Sequence, residues 1–259
     1  MARSVAHPDS LPATVCTLDW GVEGVAAAMA RGHVIVVVDA LRFSSTITAA
    51  VHAGVRVLPV ADRQEAEHRA MEISAPVVVS SRVGSHPDRP TDSPLWYAQH
   101  GMRGTRVVYP SPNGARLVAR AREHAHVFAG AFLNAQAVAD AAARAARDAG
   151  LGLTVVAAGE RSTDHDPSRP LRLLFAVEDY LAAGAIAAAS GLHLTAEAEV
   201  AATAFEASRP ALHRLVRESV SGRQLVSRGL GNEVDHCAAV DALPVAPVLT
   251  DGLLISASY

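Results

Sequence analysis

Groups able to do chemistry gather first at Asp39, Arg42, Ser44, Ser45 and Thr46: an acid, a cation and three hydroxyls within eight residues. A carboxylate, a guanidinium and the free N–H groups of a helix start suit a metal and an anion held side by side. The acid follows Val34–Val38, a continuous β-branched run that reads as a strand buried on both faces, as in a parallel sheet. Asp39 also reads as the cap of the next helix, and Arg42 as an ordinary ion-pair partner. Their combination with three hydroxyls at the end of a buried strand favours function.

Other polar segments follow other candidate strands: Ser80 to Arg82, Ser111 to Asn113, and Gly159 to Arg161 with Glu160 between them. Ligands of open α/β sheets collect at the carboxyl ends of the strands, so these segments are expected on one face. Asn113-Gly114 is equally a turn signal, and Arg116 can simply face solvent from its helix. Glu178 and Asp179 open an Ala-rich helix, where they read either as charges favoured by the helix dipole or as ligands for a hard cation such as Mg²⁺.

Composition prunes the alternatives. All 23 basic side chains are arginine. Without lysine there is no P-loop and no Schiff base, so any phosphate or carboxylate must be held by Arg, by backbone N–H or by a metal. Cys16 and Cys237 match no metal or redox spacing and read as buried thiols, and the twelve histidines show no zinc pattern. Asp164-His165-Asp166 imitates the acid pair of aspartate-nucleophile phosphatases, but it follows no strand and lacks their lysine, so it reads as a solvated loop. A net charge of −3 with scattered basic residues favours neither nucleic acid nor membrane as a partner. No apolar run spans a bilayer and no signal-peptide core is visible, so a cytoplasmic protein is expected. Self-association is left open.

To position these groups, strands are expected over 13–18, 34–38, 55–60, 76–80, 106–109, 127–129 and 153–157, with edge strands over 245–248 and 253–256. Helices are expected over 22–31, 46–53, 63–71, 115–122 and 135–149, the last capped by Asn134, and then from 176 to about 228 with Gly191 and Pro210 as punctuation. The loops over 81–93 and 162–172 are long enough to be functional. Residues 1–12 read as a disordered lead-in. Residues 13–259 read as one α/β domain, a three-layer α/β/α arrangement around a mostly parallel or mixed sheet.

With 34–50, SPNGAR, GAFLNAQAVA, VEDYLAAGAI and SGRQLVSRGLGNEVDHCA in order, the chain resembles the 2-phosphosulfolactate phosphatase family over roughly residues 15 to 250. The resemblance implies that family's own α/β/α fold and Mg²⁺-dependent hydrolysis of the phosphate ester of a small 2-hydroxy acid, in some organisms for coenzyme M biosynthesis. It places D-x-L-R-x-[ST]-[ST]-[ST] on Asp39, Leu41, Arg42, Ser44, Ser45 and Thr46. It places T-x-N-G-[TA]-R on Ser111, Asn113, Gly114, Ala115 and Arg116, and ED-x-x-x-AG on Glu178, Asp179, Ala183 and Gly184.

Asp39, Arg42 and Asp179 are thus the expected catalytic residues. Asp39 acts as metal ligand or as covalent nucleophile, and Glu178 and Asp179 complete the metal set. Ser44, Ser45, Thr46, Arg82, Asn113, Gly114, Arg116 and Glu160 are expected to bind a small anionic phosphoester. Two stretches depart from the pattern. G-E-R becomes Ser80-Ser81-Arg82, and N-S-P becomes Asp92-Ser93-Pro94. The first removes a metal or water contact; the second puts a charge where an amide is expected. The alternative is a relative that keeps the anion pocket without turnover. A nucleotide-binding enzyme is a third reading, disfavoured because no Gly-rich dinucleotide fingerprint follows a strand.

Overall fold

The computed structural model describes residues 14–81, 88–161 and 172–257. The first half runs β1 (Val15–Trp20), α1 (Gly21–Ala30), β2 (Val34–Val38), α2 (Phe43–His52), β3 (Arg56–Val60), α3 (Arg63–Ile73), α4 (Pro94–Gln99), β4 (Arg106–Pro110) and α5 (Gly114–Arg120). It continues with β5 (Val127–Gly130), α6 (Ala135–Ala149), β6 (Leu153–Ala157), β7 (Glu160–Arg161) and β8 (Leu173–Leu174). The last part holds α7 (Val177–Ala189), β9 (His193–Leu194), α8 (Ala196–Ser208), α9 (Leu212–Glu218), α10 (Val220–Ser227), α11 (Gly231–Cys237), β10 (Pro247–Thr250) and β11 (Leu253–Ser256).

Alternation along the central strands divides the interior into two cores. Val34, Val36 and Val38 of β2 join one core with residues of α6, α7 and α8, while Ile35 and Val37 join the other with residues of α1, α2 and α5. Successive side chains of a strand point to opposite faces, so a run that is apolar on both phases demands a helical layer on each side. The three-layer α/β/α expectation is met. Where α7 crosses α8, Gly184 makes room. A Cβ there would lie 2.1 Å from the Ala201 carbonyl oxygen, so only glycine permits this approach.

The nine strands of the sheet lie in the order β4-β3-β11-β10-β5-β2-β6-β1-β9. β5, β2, β6, β1 and β9 are parallel, as are β3 and β4, and the β10–β11 hairpin joins the two blocks by antiparallel pairings. The C-terminal strands therefore sit inside the sheet rather than at its edge as expected. Val248 pairs with Phe128 and Leu254 with Val57, so each hairpin strand is flanked on both sides. Partner choice depends on contacts distant in sequence, which a strand's own pattern does not carry.

Three other expectations change. Residues 76–80 form isolated bridges, Val77 with Val108 and Val79 with Thr91, because their N–H and C=O groups divide between β4 and residues 90–92. Asn134 does not cap α6 with its side chain. Its Oδ1 accepts from the Ala131 N–H at 2.9 Å and its Nδ2 donates to the Val245 carbonyl at 2.9 Å, tying the turn after β5 to the chain before β10. The helical stretch from 176 divides into α7, α8, α9 and α10, with β9 after Gly191 and a 3₁₀ turn at Arg209–Ala211 around Pro210. The lead-in over 1–12 and Asp164-His165-Asp166 fall outside the described residues.

Candidate active site

The turn between β2 and α2 is built by its own hydroxyls. Ser44 Oγ accepts from the Asp39 N–H at 3.0 Å and donates to the Val37 carbonyl at 3.2 Å. Ser45 Oγ donates to the Ala40 carbonyl, and Thr46 Oγ1 to the Asp92 carbonyl at 2.7 Å. All three side chains are fully buried. These hydroxyls, expected on substrate, are committed to backbone. They fix where Asp39 and Arg42 emerge, and the first two close a local loop that competes well with bulk water.

Asp39 and Asp179 meet at the centre. Asp39 Oδ2 accepts from the Gly114 N–H at 2.7 Å, and Oδ1 lies 3.4 Å from the Phe43 N–H. Asp179 Oδ1 accepts from the Ala40 N–H at 2.7 Å and Oδ2 from the Gly159 N–H at 2.9 Å. Asp179 thus clamps the turns after β2 and β6 together. Gly114 must be glycine for its N–H to reach Asp39, since a Cβ would stand 2.2 Å from the Phe43 ring. β4 belongs to the other block of the sheet, yet the turn after it reaches the end of β2 through this contact.

This acidic group is electrostatically uncompensated. Burial, with the Glu160 and Glu178 charges behind it, lifts the Asp39 carboxyl to about 6 against the pull of the Gly114 and Phe43 amides. Burial and then the Asp39 and Glu178 charges raise Asp179 well above the ordinary carboxylate range. Glu178 is itself buried in the first turn of α7. Among the described residues, backbone N–H groups are the donors to Asp39 and Asp179, and neither carboxylate pairs with a guanidinium. Yet among the described residues no three His, Cys, Asp or Glu side chains converge to enclose a metal ion.

Arg42 belongs to a different cluster. Its Nη2 lies 3.0 Å from Asp92 Oδ2, its Nη1 donates to Ser81 Oγ at 2.8 Å, and the same Nη1 pairs with Glu233 Oε2. Asp92 Oδ1 in turn accepts from the Ser81 N–H at 2.5 Å. The two carboxylates outweigh the burial of this guanidinium, and its pKa is raised. Arg42 therefore holds α11, Ser81 and Asp92 against the β2–α2 turn, with its charge already matched. Glu233, from the stretch SGRQLVSRGLGNEVDHCA, was not among the expected site residues. In the first turn of a helix an acid reads as a dipole charge.

A polar cleft of about 230 Å³ opens where these groups meet, with Asp39, Arg42, Asp92, Asn113 and Glu160 on its wall. Glu178 and Asp179 stand behind that wall. Glu160 Oε1 accepts from Asn113 Nδ2 at 3.2 Å and from the Arg161 N–H at 2.8 Å, which orients the amide beside the cleft. Ser221, Gln224 and Arg228 from α10 and its end also line the cleft; they fall in the stretch SGRQLVSRGLGNEVDHCA but were not among the expected site residues. Arg116 lines a neighbouring hollow that shares Pro112 and Asn113 with the cleft. Arg82 lies outside the described residues.

Helices on both faces of a mixed sheet, with an acidic cleft at the strand ends, define a three-layer α/β/α protein whose polar site is built from inter-strand turns. The chain belongs to the 2-phosphosulpholactate phosphatase family, which it matches over residues 22–252. That family name denotes phosphoric monoester hydrolases. The chain is 33% identical over 220 residues to the 2-phosphosulfolactate phosphatase of Methanothermobacter thermautotrophicus, covering 84% of this chain and 87% of that one. It is 29% identical to proteins named "Probable 2-phosphosulfolactate phosphatase" from Carboxydothermus hydrogenoformans and Symbiobacterium thermophilum, covering 87% and 86% of this chain and 91% and 94% of theirs. No helix among the described residues is long and apolar enough to cross a membrane.

Proposed function

We propose that this protein is a Mg²⁺-dependent phosphatase that hydrolyses the phosphate ester of a small 2-hydroxy acid of the 2-phosphosulfolactate type. One observation carries the reading: buried carboxylates that form no ion pair among the described residues, of which Asp39 faces the cleft. Mg²⁺ characteristically binds one or two carboxylates and takes its other ligands from water and substrate phosphate, which fits a site where three side chains do not enclose an ion. Asp39 would hold it, with Glu178 and Asp179 supplying negative potential from behind. When bound, the ion neutralises phosphoryl oxygens and lowers the pKa of an attacking water.

The protein's own groups orient the ester. Asn113 Nδ2, steadied by Glu160, offers a donor to the phosphoryl group, and Arg228 brings positive charge to the same cleft. Asp179 keeps the Ala40 and Gly159 turns at a fixed separation, so it acts as a positioning residue rather than as a group on the substrate. A cytoplasmic setting and a small anionic partner complete the reading.

Purified protein should release phosphate from 2-phosphosulfolactate or phospholactate with Mg²⁺ and not after chelation. Asp39→Asn should lower release by about a thousandfold or more while the protein stays folded. Full activity in that variant removes Asp39 from the mechanism. Stabilisation by a hydroxy acid with no phosphate release across a phosphoester panel would favour a binding protein without turnover.

A further inference from the structure

β7 sends consecutive side chains to two different cavities. Glu160 lines the acidic cleft, whereas Arg161 lines the adjoining hollow of about 340 Å³. That division follows from strand alternation. Asn113 borders both, so a molecule seated in the cleft has the hollow as its immediate neighbour.

The hollow has the opposite electrostatic character. Arg116, Arg161 and Arg172 line it, with Glu23 as the acid on its wall. Neither Arg116 nor Arg161 forms an ion pair with a carboxylate among the described residues. The two charges sense each other: partial burial and then the Arg116 charge lower the pKa of Arg161. Trp20, Leu117 and Leu173 line the same hollow. A volume of this size is typical of a small-ligand pocket and exceeds what one oxyanion fills. Planar guanidinium forks match carboxylate or sulfonate oxygens, and the apolar wall matches a short carbon arm.

We propose that Arg116 and Arg161 receive the substrate's non-transferred anionic group, a carboxylate or sulfonate carried on an apolar arm, and that Arg161 sets selectivity for esters bearing it. This rests on the phosphatase reading, which puts the transferred phosphate in the cleft next door. The anion relieves the repulsion between the two guanidiniums, so its presence is rewarded and its absence is not.

The test compares phosphomalate with its analogue in which the distal carboxylate is an amide, using the full chain with Mg²⁺. In Arg161→Gln the kcat/KM ratio between the two esters should fall about tenfold, the size expected for losing one charge-assisted hydrogen bond, and Arg161→Lys should restore part of it. An unchanged ratio, or equal losses on both esters, overturns the pocket. Calorimetric titration with malate and with 3-sulfolactate needs no turnover. About tenfold weaker binding of either acid to Arg161→Gln supports the pocket, and the tighter of the two identifies the group. If the wild type hydrolyses no ester yet this weakening appears, the phosphatase reading fails and the pocket stands. If neither binding nor selectivity moves, the pocket is overturned whatever the enzyme hydrolyses.

Discussion

Two buried ionic clusters lie on either side of the β2–α2 turn, and they are balanced in opposite ways. Around Arg42 one guanidinium meets Asp92 and Glu233, with Ser81 filling a further donor. Around Asp39 the neighbours Glu160, Glu178 and Asp179 are all acids, and among the described residues Asp39 and Asp179 are held by backbone N–H groups and Glu160 by the Asn113 amide and the Arg161 N–H. The first cluster is complete as it stands. The second carries charge that no cation among the described residues pairs with, and that difference separates a joint of the fold from a site of chemistry.

Removing the cation from the complete cluster should have the larger effect on stability. Arg42→Met leaves the buried Glu233 and the half-buried Asp92 without their shared cation, and breaking a buried pair from one side typically costs about 3–5 kcal/mol. Denaturant unfolding should show a loss near 3 kcal/mol, softened as the orphaned acids take up protons. A loss below about 1 kcal/mol would mean that Arg42 is not the joint between α11 and the pair Ser81 and Asp92.

The same contrast explains what could be read in advance. β2 was legible because its five residues are buried on both phases, and a pattern that strong has one structural meaning. Asp39, Asn113 and Glu160 were legible as strand-end groups, and the fold does bring them to one cleft, with the Gly114 N–H holding Asp39 from within. Arg42's pairing with Glu233 was not, since Glu233 lies 191 residues away and an ion pair leaves no periodic trace. Ser44, Ser45 and Thr46 were visible as hydroxyls, but residue type does not say whether a hydroxyl faces substrate or its own backbone. The β10–β11 hairpin was visible as two strands, whereas its insertion between β3 and β5 depended on partners distant in the chain.

The uncompensated cluster should reveal itself through pH. The Asp39 carboxyl, ordinarily at 3.8, sits at about 6 in the folded protein. A proton held more tightly by the folded than by the unfolded chain stabilises the fold below the ordinary pKa, and that advantage is lost as pH rises through the folded value. Between about pH 4 and pH 6 this group alone therefore makes the metal-free protein less stable, by about 3 kcal/mol in all. Asp39→Asn removes the penalty. The variant should match the wild type near pH 4 and exceed it in unfolding free energy by up to about 3 kcal/mol at pH 7, in the presence of chelator. Equal stabilities at both pH values would mean that backbone amides alone satisfy the cluster, and the contrast with Arg42 would disappear.

The smallest effect concerns the two positions that depart from the family pattern. Ser81 and Asp92 touch each other and the same guanidinium. With glutamate at 81 and asparagine at 92, as the family usually shows, Arg42 would still meet one carboxylate from this loop, drawn from the other position. The departures then compensate rather than subtract. Ser81→Glu alone crowds a third carboxylate onto Arg42 and should destabilise by about 1–2 kcal/mol, and Asp92→Asn alone removes an ion pair and should destabilise by a similar amount. Ser81→Glu with Asp92→Asn should recover most of both losses, giving a coupling energy of about 1–2 kcal/mol in a double-mutant cycle. Additive losses would show that the two sites act independently, and that the Arg42 cluster owes its balance to Glu233 alone.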